Sequence, residues 1–115
     1  AGGRIAVTAA LAEHISPAAV VALSGVAAAS VVDAFHASGR TRMPMFIAYG
    51  EHDLDYVVPG AKTMLEQLGA VGHPHIGCVL PGQTHFYDAN SAVQSEQGEF
   101  VSLEAGMDEF LTTYL

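Results

Sequence analysis

Two polar loops in this 115-residue sequence carry side chains that together could move a proton. The first loop begins at Gly50 and contains Asp53, and the second begins at Pro81 and contains His85. An imidazole beside a carboxylate can act as a general base, because the carboxylate orients the ring and stabilises its protonated form. The two residues are 32 positions apart with the acid first, the order expected when a nucleophile lies upstream of both.

Each of these loops follows a short apolar run that predicts a buried strand. Such runs cover Ala18–Leu23, Met43–Tyr49 and His75–Leu80, and continuous apolar character is typical of parallel strands with both faces covered. The residues that follow parallel strands gather at one edge of the sheet. We therefore expect Asp53 and His85 to be neighbours at that edge.

Helical patterns alternate with the three strands. They cover Arg4–His14, Val26–Ser38, Pro59–Leu68 and Leu103–Leu115. Pro at the start of a helix and Gly just after its end support the third of these segments. Strands that alternate with helices predict an α/β fold in which a parallel sheet of three strands is covered by helices.

Composition and charge exclude several classes of function. The formal net charge is −8 and the sequence has only four Lys and Arg residues, so it offers no basic surface for nucleic acid. No apolar stretch approaches the roughly 20 residues of a membrane-spanning helix. Cys78 lies within an apolar run, which predicts a core residue. We expect neither a cofactor nor a metal, since Pro74 separates His73 from His75 and no acidic or cysteine cluster adjoins them.

Four segments, in this order and spacing, resemble the α/β-hydrolase superfamily. Ala1-Gly2-Gly3 resembles the end of a nucleophile elbow of the form Gly-x-Ser-Ala-Gly-Gly, whose serine would stand immediately before Ala1. Ala18–Gly25 is similar to the strand that follows the nucleophile helix and ends in Ser-Gly. Pro44–Asp53 resembles the strand that runs into Gly-x-x-Asp, and Gly82–Phe86 resembles the Gly-x-x-His-Phe loop.

The resemblance implies a serine hydrolase of carboxylic esters, similar to the hormone-sensitive-lipase-like, feruloyl-esterase or arylformamidase-like branch. Residues 1–115 would be the C-terminal half of a single α/β-hydrolase domain, and an N-terminal half, in the same or a separate chain, would complete the sheet and supply the serine. His85 would be the general base and Asp53 the triad acid, with the backbone N–H of Ala1 in the oxyanion hole. Asp55 is the alternative acid, in the spacing Asp-x-Val-Val-Pro. Residues 26–42 correspond to the place where this family often builds a cap or pocket wall.

Other polar residues have simpler interpretations, and a second function stays open. Ser24 lacks the first glycine of an elbow, so we interpret it as structural, and His52 as a loop residue. Phe86 and Tyr87 fit either an acyl pocket or ordinary packing. No Gly-x-Ser-x-Gly occurs in the sequence, so the alternative function is a non-catalytic α/β-hydrolase-like binding domain. The residue that precedes Ala1 discriminates between the two hypotheses.

Overall fold

A computed structural model describes residues 11, 18–85, 87, 90–95 and 102–115 of the chain. Its centre is a four-stranded sheet in the order β1-β2-β3-β4. Strands β1 (Val20–Leu23), β2 (Met45–Gly50) and β3 (His75–Leu80) are parallel, as predicted. Strand β4 (Gln94–Ser95) is antiparallel to β3 and was not predicted, because two residues carry no periodic signal.

Three helices whose bounds the structure describes lie between and after the strands. They are α1 (Ala29–Ala37), α2 (Val57–Ala70) and α3 (Leu103–Tyr114). Helix α2 begins two residues before Pro59, which sits in the first turn, where its missing N–H needs no partner. Of the predicted helix Arg4–His14, only Leu11 belongs to the described residues, and it is helical and buried. No helix in the described ranges is long and apolar enough to cross a membrane.

The sheet separates two hydrophobic clusters. Helices α1 and α2 pack on one face, where Phe35 and Met64 join Met45 of β2. Helix α3 packs on the other face, where Phe110 meets Phe46 at a ring separation of 5.7 Å. Strand β2 is buried at every position, as a central parallel strand should be.

The outer strand β1 departs from the prediction that both of its faces are buried. Val21 and Leu23 are 37% and 40% exposed, whereas Val20 and Ala22 are buried. Val21 and Leu23 stand beside Phe46 and Ala48 in the parallel register, on the face where α3 packs. Among the described residues, α3 covers the β2 and β3 part of that face and leaves β1 uncovered.

Candidate functional site

The loop after β2 is a tight turn that directs the side chain of Asp53 back towards the sheet. The Asp53 N–H donates to the Gly50 carbonyl at 3.1 Å, and the Gly50 N–H donates to Asp53 Oδ2 at 3.1 Å. The Leu54 N–H donates to Oδ1 at 2.8 Å. The Asp53 side chain is fully shielded from solvent. Each oxygen of this carboxylate therefore accepts one hydrogen bond from a backbone N–H group.

His85 lies beside that carboxylate. Its Nδ1 is 2.7 Å from Asp53 Oδ1, and the imidazole side chain is 31% exposed. Since an ionised carboxylate only accepts, Nδ1 carries the proton of this hydrogen bond. Proton exchange with a nucleophile or substrate would then take place at Nε2. The structure brings together the two residues that the sequence paired across 32 positions.

Backbone contacts and a glycine hold the two loops together. The Glu51 and His52 N–H groups donate to the carbonyls of Leu80 and Gln83 at 3.0 and 2.8 Å. A Cβ at Gly50 would stand 2.6 Å from the Gln83 carbonyl oxygen and closer still to that of Thr84. Real Cβ atoms do not approach backbone this closely, so only glycine at position 50 lets the His85 loop lie against β2.

Two hydroxyl groups extend the site on the Oδ2 side of Asp53. Ser24 Oγ donates to Asp53 Oδ2 at 2.5 Å, and Tyr87 Oη lies 2.5 Å from Ser24 Oγ. Because Ser24 donates its only hydroxyl proton to Asp53, Tyr87 must be the donor in its hydrogen bond with Ser24. Ser24 has a φ of 57°, an unusual conformation for a residue with a side chain. It directly follows β1, and its N–H donates to the Ala48 carbonyl at 2.7 Å.

These contacts set the protonation state of the carboxyl group. Burial alone would raise the pKa of Asp53, but hydrogen bonds from Ser24, Leu54, His85 and Gly50 outweigh burial and hold the pKa below its ordinary value. Burial raises the pKa of the Tyr87 phenol, the hydrogen bond with Ser24 lowers it, and the charge of Asp53 raises it further, for a net increase. Near neutral pH the site therefore contains an ionised Asp53 and a protonated Tyr87.

The other predicted residues either have exposed side chains or fall outside the described ranges. Asp55 is exposed, two residues before α2. The side chain of His52 is also exposed, 3.4 Å from Glu51, whose Oε1 accepts from the Gly82 N–H. Ala1, the predicted oxyanion-hole residue, and Phe86 lie outside the described residues. Within the described ranges, no group of three or more His, Cys, Asp or Glu side chains could hold a metal ion.

Sequence reasoning did not find the Ser24 and Tyr87 hydroxyl groups as part of this network. Ser24 was interpreted as structural, and Tyr87 as a pocket or packing residue. The sequence nevertheless contains a signal for Ser24, because this residue directly follows the first apolar run. Asp53 and His85 lie in the loops that follow the second and third apolar runs. Polar residues that follow neighbouring parallel strands share one edge of the sheet.

The fold is that of the C-terminal part of an α/β-hydrolase. No protein-family model and no curated protein matches the chain. A crystal structure of esterase PE8 is similar to it, with a TM-score of 0.69 and 23% sequence identity. The alignment covers 99% of this chain and 46% of that esterase chain, so this chain spans about half of its length. Three parallel strands alternating with helices form the shared partial sheet.

Proposed function

We propose that the chain supplies the acid and the histidine of a serine esterase. The observation that carries this proposal is the 2.7 Å contact between His85 Nδ1 and a buried, ionised Asp53. The similarity of the fold to an esterase supports it. The nucleophile would be a serine directly before Ala1, supplied by an N-terminal segment that completes the sheet.

The mechanism would be acyl transfer through a covalent intermediate. The serine hydroxyl attacks the ester carbonyl while His85 Nε2 accepts its proton, and Asp53 stabilises the resulting imidazolium. The backbone N–H of Ala1 would donate to the developing oxyanion. His85 then returns the proton to the leaving alcohol, and a water activated by the same imidazole hydrolyses the acyl-enzyme.

We also propose that the start of segment 26–42 forms one wall of the substrate pocket. A cavity of about 330 Å³ lies between the start of α1 and the first turns of α2, and apolar atoms dominate its lining. Val26, Ala29 and Tyr56 are among its lining residues. Both helices begin just after the carboxyl ends of β1 and β2, the same edge that carries Asp53. Such a cavity suits an aliphatic acyl group.

If this segment lines the substrate pocket, Ala29→Phe should lower kcat/KM more for hexanoate esters than for acetate esters. Equal losses of kcat/KM for both esters would contradict the proposal that the segment forms a pocket wall.

An N-terminal segment is also expected to cover the exposed face of β1. Val21 and Leu23 expose apolar surface on an outer strand, and an open strand edge favours aggregation. We expect the 115-residue polypeptide by itself to be poorly soluble or partly unfolded, and co-expression of the upstream segment to rescue it. A sharp, cooperative unfolding transition of the isolated monomer would contradict this expectation.

The test of the proposal uses the complete polypeptide with 4-nitrophenyl esters of short acyl chains. We expect His85→Ala to lower kcat by about 10³-fold or more, since the general base is lost. His52→Ala is the matched control, because this exposed histidine lies in the loop after β2 and its replacement should leave kcat within about twofold. Near-parental ester turnover by His85→Ala would rule out the proposed role. A polypeptide without serine before Ala1 and without turnover would favour the binding-domain alternative.

A further inference from the structure

We propose that Ser24 and Tyr87 are positioning residues that anchor Oδ2 of Asp53, so that Oδ1 stays on His85 during the reaction. The inference rests on the proposed esterase function and goes beyond it, because neither residue belongs to the acid–histidine pair. Three observations carry it: the direction of the hydrogen bonds, the backbone conformation of Ser24, and the completeness of the Asp53 contacts.

The hydrogen bonds have only one consistent direction. The chain runs from the Tyr87 hydroxyl to Ser24 Oγ and from Ser24 to Asp53 Oδ2, at 2.5 Å for each step. A serine hydroxyl has one proton, so while Ser24 donates to Asp53 it can only accept from Tyr87. Tyr87 thereby fixes the rotation of the Ser24 hydroxyl, and the two groups act as a unit.

Ser24 is held in a conformation that glycine would adopt more readily. Its φ of 57° lies in the left-handed region, which is uncommon for residues other than glycine. A backbone requirement alone would be met better by glycine, so the serine at this position has to be explained by its side chain. The Ser24 side chain donates a hydrogen bond to the carboxylate of Asp53, and this hydrogen bond offsets the cost of the left-handed backbone conformation.

Each carboxylate oxygen of Asp53 accepts two hydrogen bonds. Oδ1 accepts from the Leu54 N–H and from His85, and Oδ2 accepts from the Gly50 N–H and from Ser24. An ionised carboxylate has about four acceptor positions, so the set is complete. Without Ser24, Oδ2 retains one described donor and the buried carboxylate can rotate away from His85. Orientation of the imidazole, rather than substrate binding, would then be lost.

The experiment separates the hydroxyl of Ser24 from its backbone. Ser24→Gly removes the hydroxyl and favours the positive φ, whereas Ser24→Ala removes the hydroxyl and keeps the strain. In the complete polypeptide we expect both variants to lose kcat by about ten- to hundredfold with KM within about twofold, the size expected for a hydrogen bond to a charged group. Tyr87→Phe should lower kcat severalfold, because the Tyr87 hydroxyl acts on Asp53 through Ser24. Ser38→Ala and Tyr114→Phe are the matched controls and should keep the parental kcat.

A second measurement does not depend on activity. Carbon-13 NMR of the Asp53 carboxyl group, assigned with Asp53→Asn, should report a higher pKa in Ser24→Gly than in the parent. If the parent turns over no ester, the proposed function fails, and the NMR result alone decides on the anchoring: a higher pKa supports it and an unchanged pKa overturns it. If the parent is active, parental kcat together with an unchanged Asp53 pKa in Ser24→Gly overturns the anchoring alone.

Discussion

The two ends of the sheet each hold a buried polar cluster built around a histidine, and the clusters differ in their partners. At the carboxyl end, His85 contacts Asp53 and the imidazole stays 31% exposed. At the amino end, His73 Nε2 is 2.6 Å from the Met43 carbonyl, and His73 Nδ1 is 3.0 Å from His36 Nε2. His73 is 1% exposed, and its partners are a neutral carbonyl and a second imidazole.

The partners decide which protonation state each cluster favours. The Met43 carbonyl can only accept, so His73 carries its proton on Nε2, and neutral His73 accepts at Nδ1 from His36. Burial lowers the pKa of His73, the Met43 carbonyl opposes this effect, and the charges of His36, Arg42 and His75 lower it further. Burial and the charge of Arg42 lower the pKa of His36, while the charge of Asp33 opposes them, for a net decrease. The amino-end cluster therefore favours neutral imidazoles, whereas the carboxylate of Asp53 is suited to stabilise a charged His85.

A histidine becomes a candidate base through its partner and its access to solvent. Both clusters join residues that are distant in sequence, and both lie beside strand ends. Of the two central histidines, His85 has a carboxylate partner and an accessible ring, whereas His73 is buried against a carbonyl and an imidazole. We expect substitutions at the carboxyl end to act on turnover and those at the amino end to act on stability, and the following changes test that division.

Asp53→Asn should produce the largest effect, a loss of kcat of about 10³- to 10⁴-fold. The amide cannot stabilise an imidazolium and favours the wrong imidazole tautomer. Asp55→Asn is the matched control, since Asp55 is exposed and only two residues away, and it should keep kcat within about twofold. Measurement of kcat for both variants decides between the two acids, and the reverse result would assign the role to Asp55.

Gly50→Ala should lower kcat by about 10²-fold and destabilise the fold by roughly 1–3 kcal/mol. The new methyl group would meet the Gln83 and Thr84 carbonyls and displace the loop that carries His85. Gly69→Ala is the control, because this glycine of α2 has open space around it and no positive φ; alanine there should preserve or raise stability. Urea unfolding and kcat would be measured on both. Parental behaviour of Gly50→Ala would show that the loop does not depend on this close approach.

His73→Phe should cost roughly 1–3 kcal/mol of stability while kcat of the folded protein changes little. An aromatic ring is kept, but the buried Met43 carbonyl loses its donor and His36 loses its acceptor. Urea unfolding gives the stability, and turnover would be compared well below the unfolding midpoint. A large loss of kcat in fully folded His73→Phe would contradict the division between the two ends.

The smallest effects should appear as two separate pH windows of stability. His36 and His73 have lowered pKa values in the folded protein, so below about pH 6.5 the unfolded chain binds protons that the folded chain does not. Stability should then fall as pH decreases, by at most about 1.4 kcal/mol per pH unit for each proton, until the folded pKa is reached. The contribution of His36 is smaller because its ring is partly exposed.

Asp53 should act in a lower window. Its folded pKa is below 3.8, so its contribution is complete above that pH and is lost as pH falls through the folded pKa. Chemical denaturation at a series of pH values measures both windows. Asp53→Asn should remove only the lower window, and His73→Phe should weaken only the upper one. Loss of both windows in either variant would show that the clusters are coupled.

Periodicity and apolar runs predicted most of the fold. Strand β3 was predicted to the residue, and β2 within two residues, because buried parallel strands are uniform apolar runs between turn residues. Helix α1 begins three residues later than predicted, after the extended segment that follows Ser24. Strand β4 was missed because its existence depends on pairing with Cys78 and Val79, which is a tertiary contact.

The sequence by itself determined that an acid and a histidine follow neighbouring parallel strands, since chain order and apolar runs fix which loops share an edge. It did not decide which acid contacts the histidine, because Asp53 and Asp55 both fit known spacings. The tertiary structure decided this through the turn at Gly50, which directs Asp53 inward, while Asp55 is exposed before α2. It alone also joined Ser24 and Tyr87 to Asp53, because hydrogen bonds between three distant segments require the folded sheet to hold their atoms within 2.5 Å.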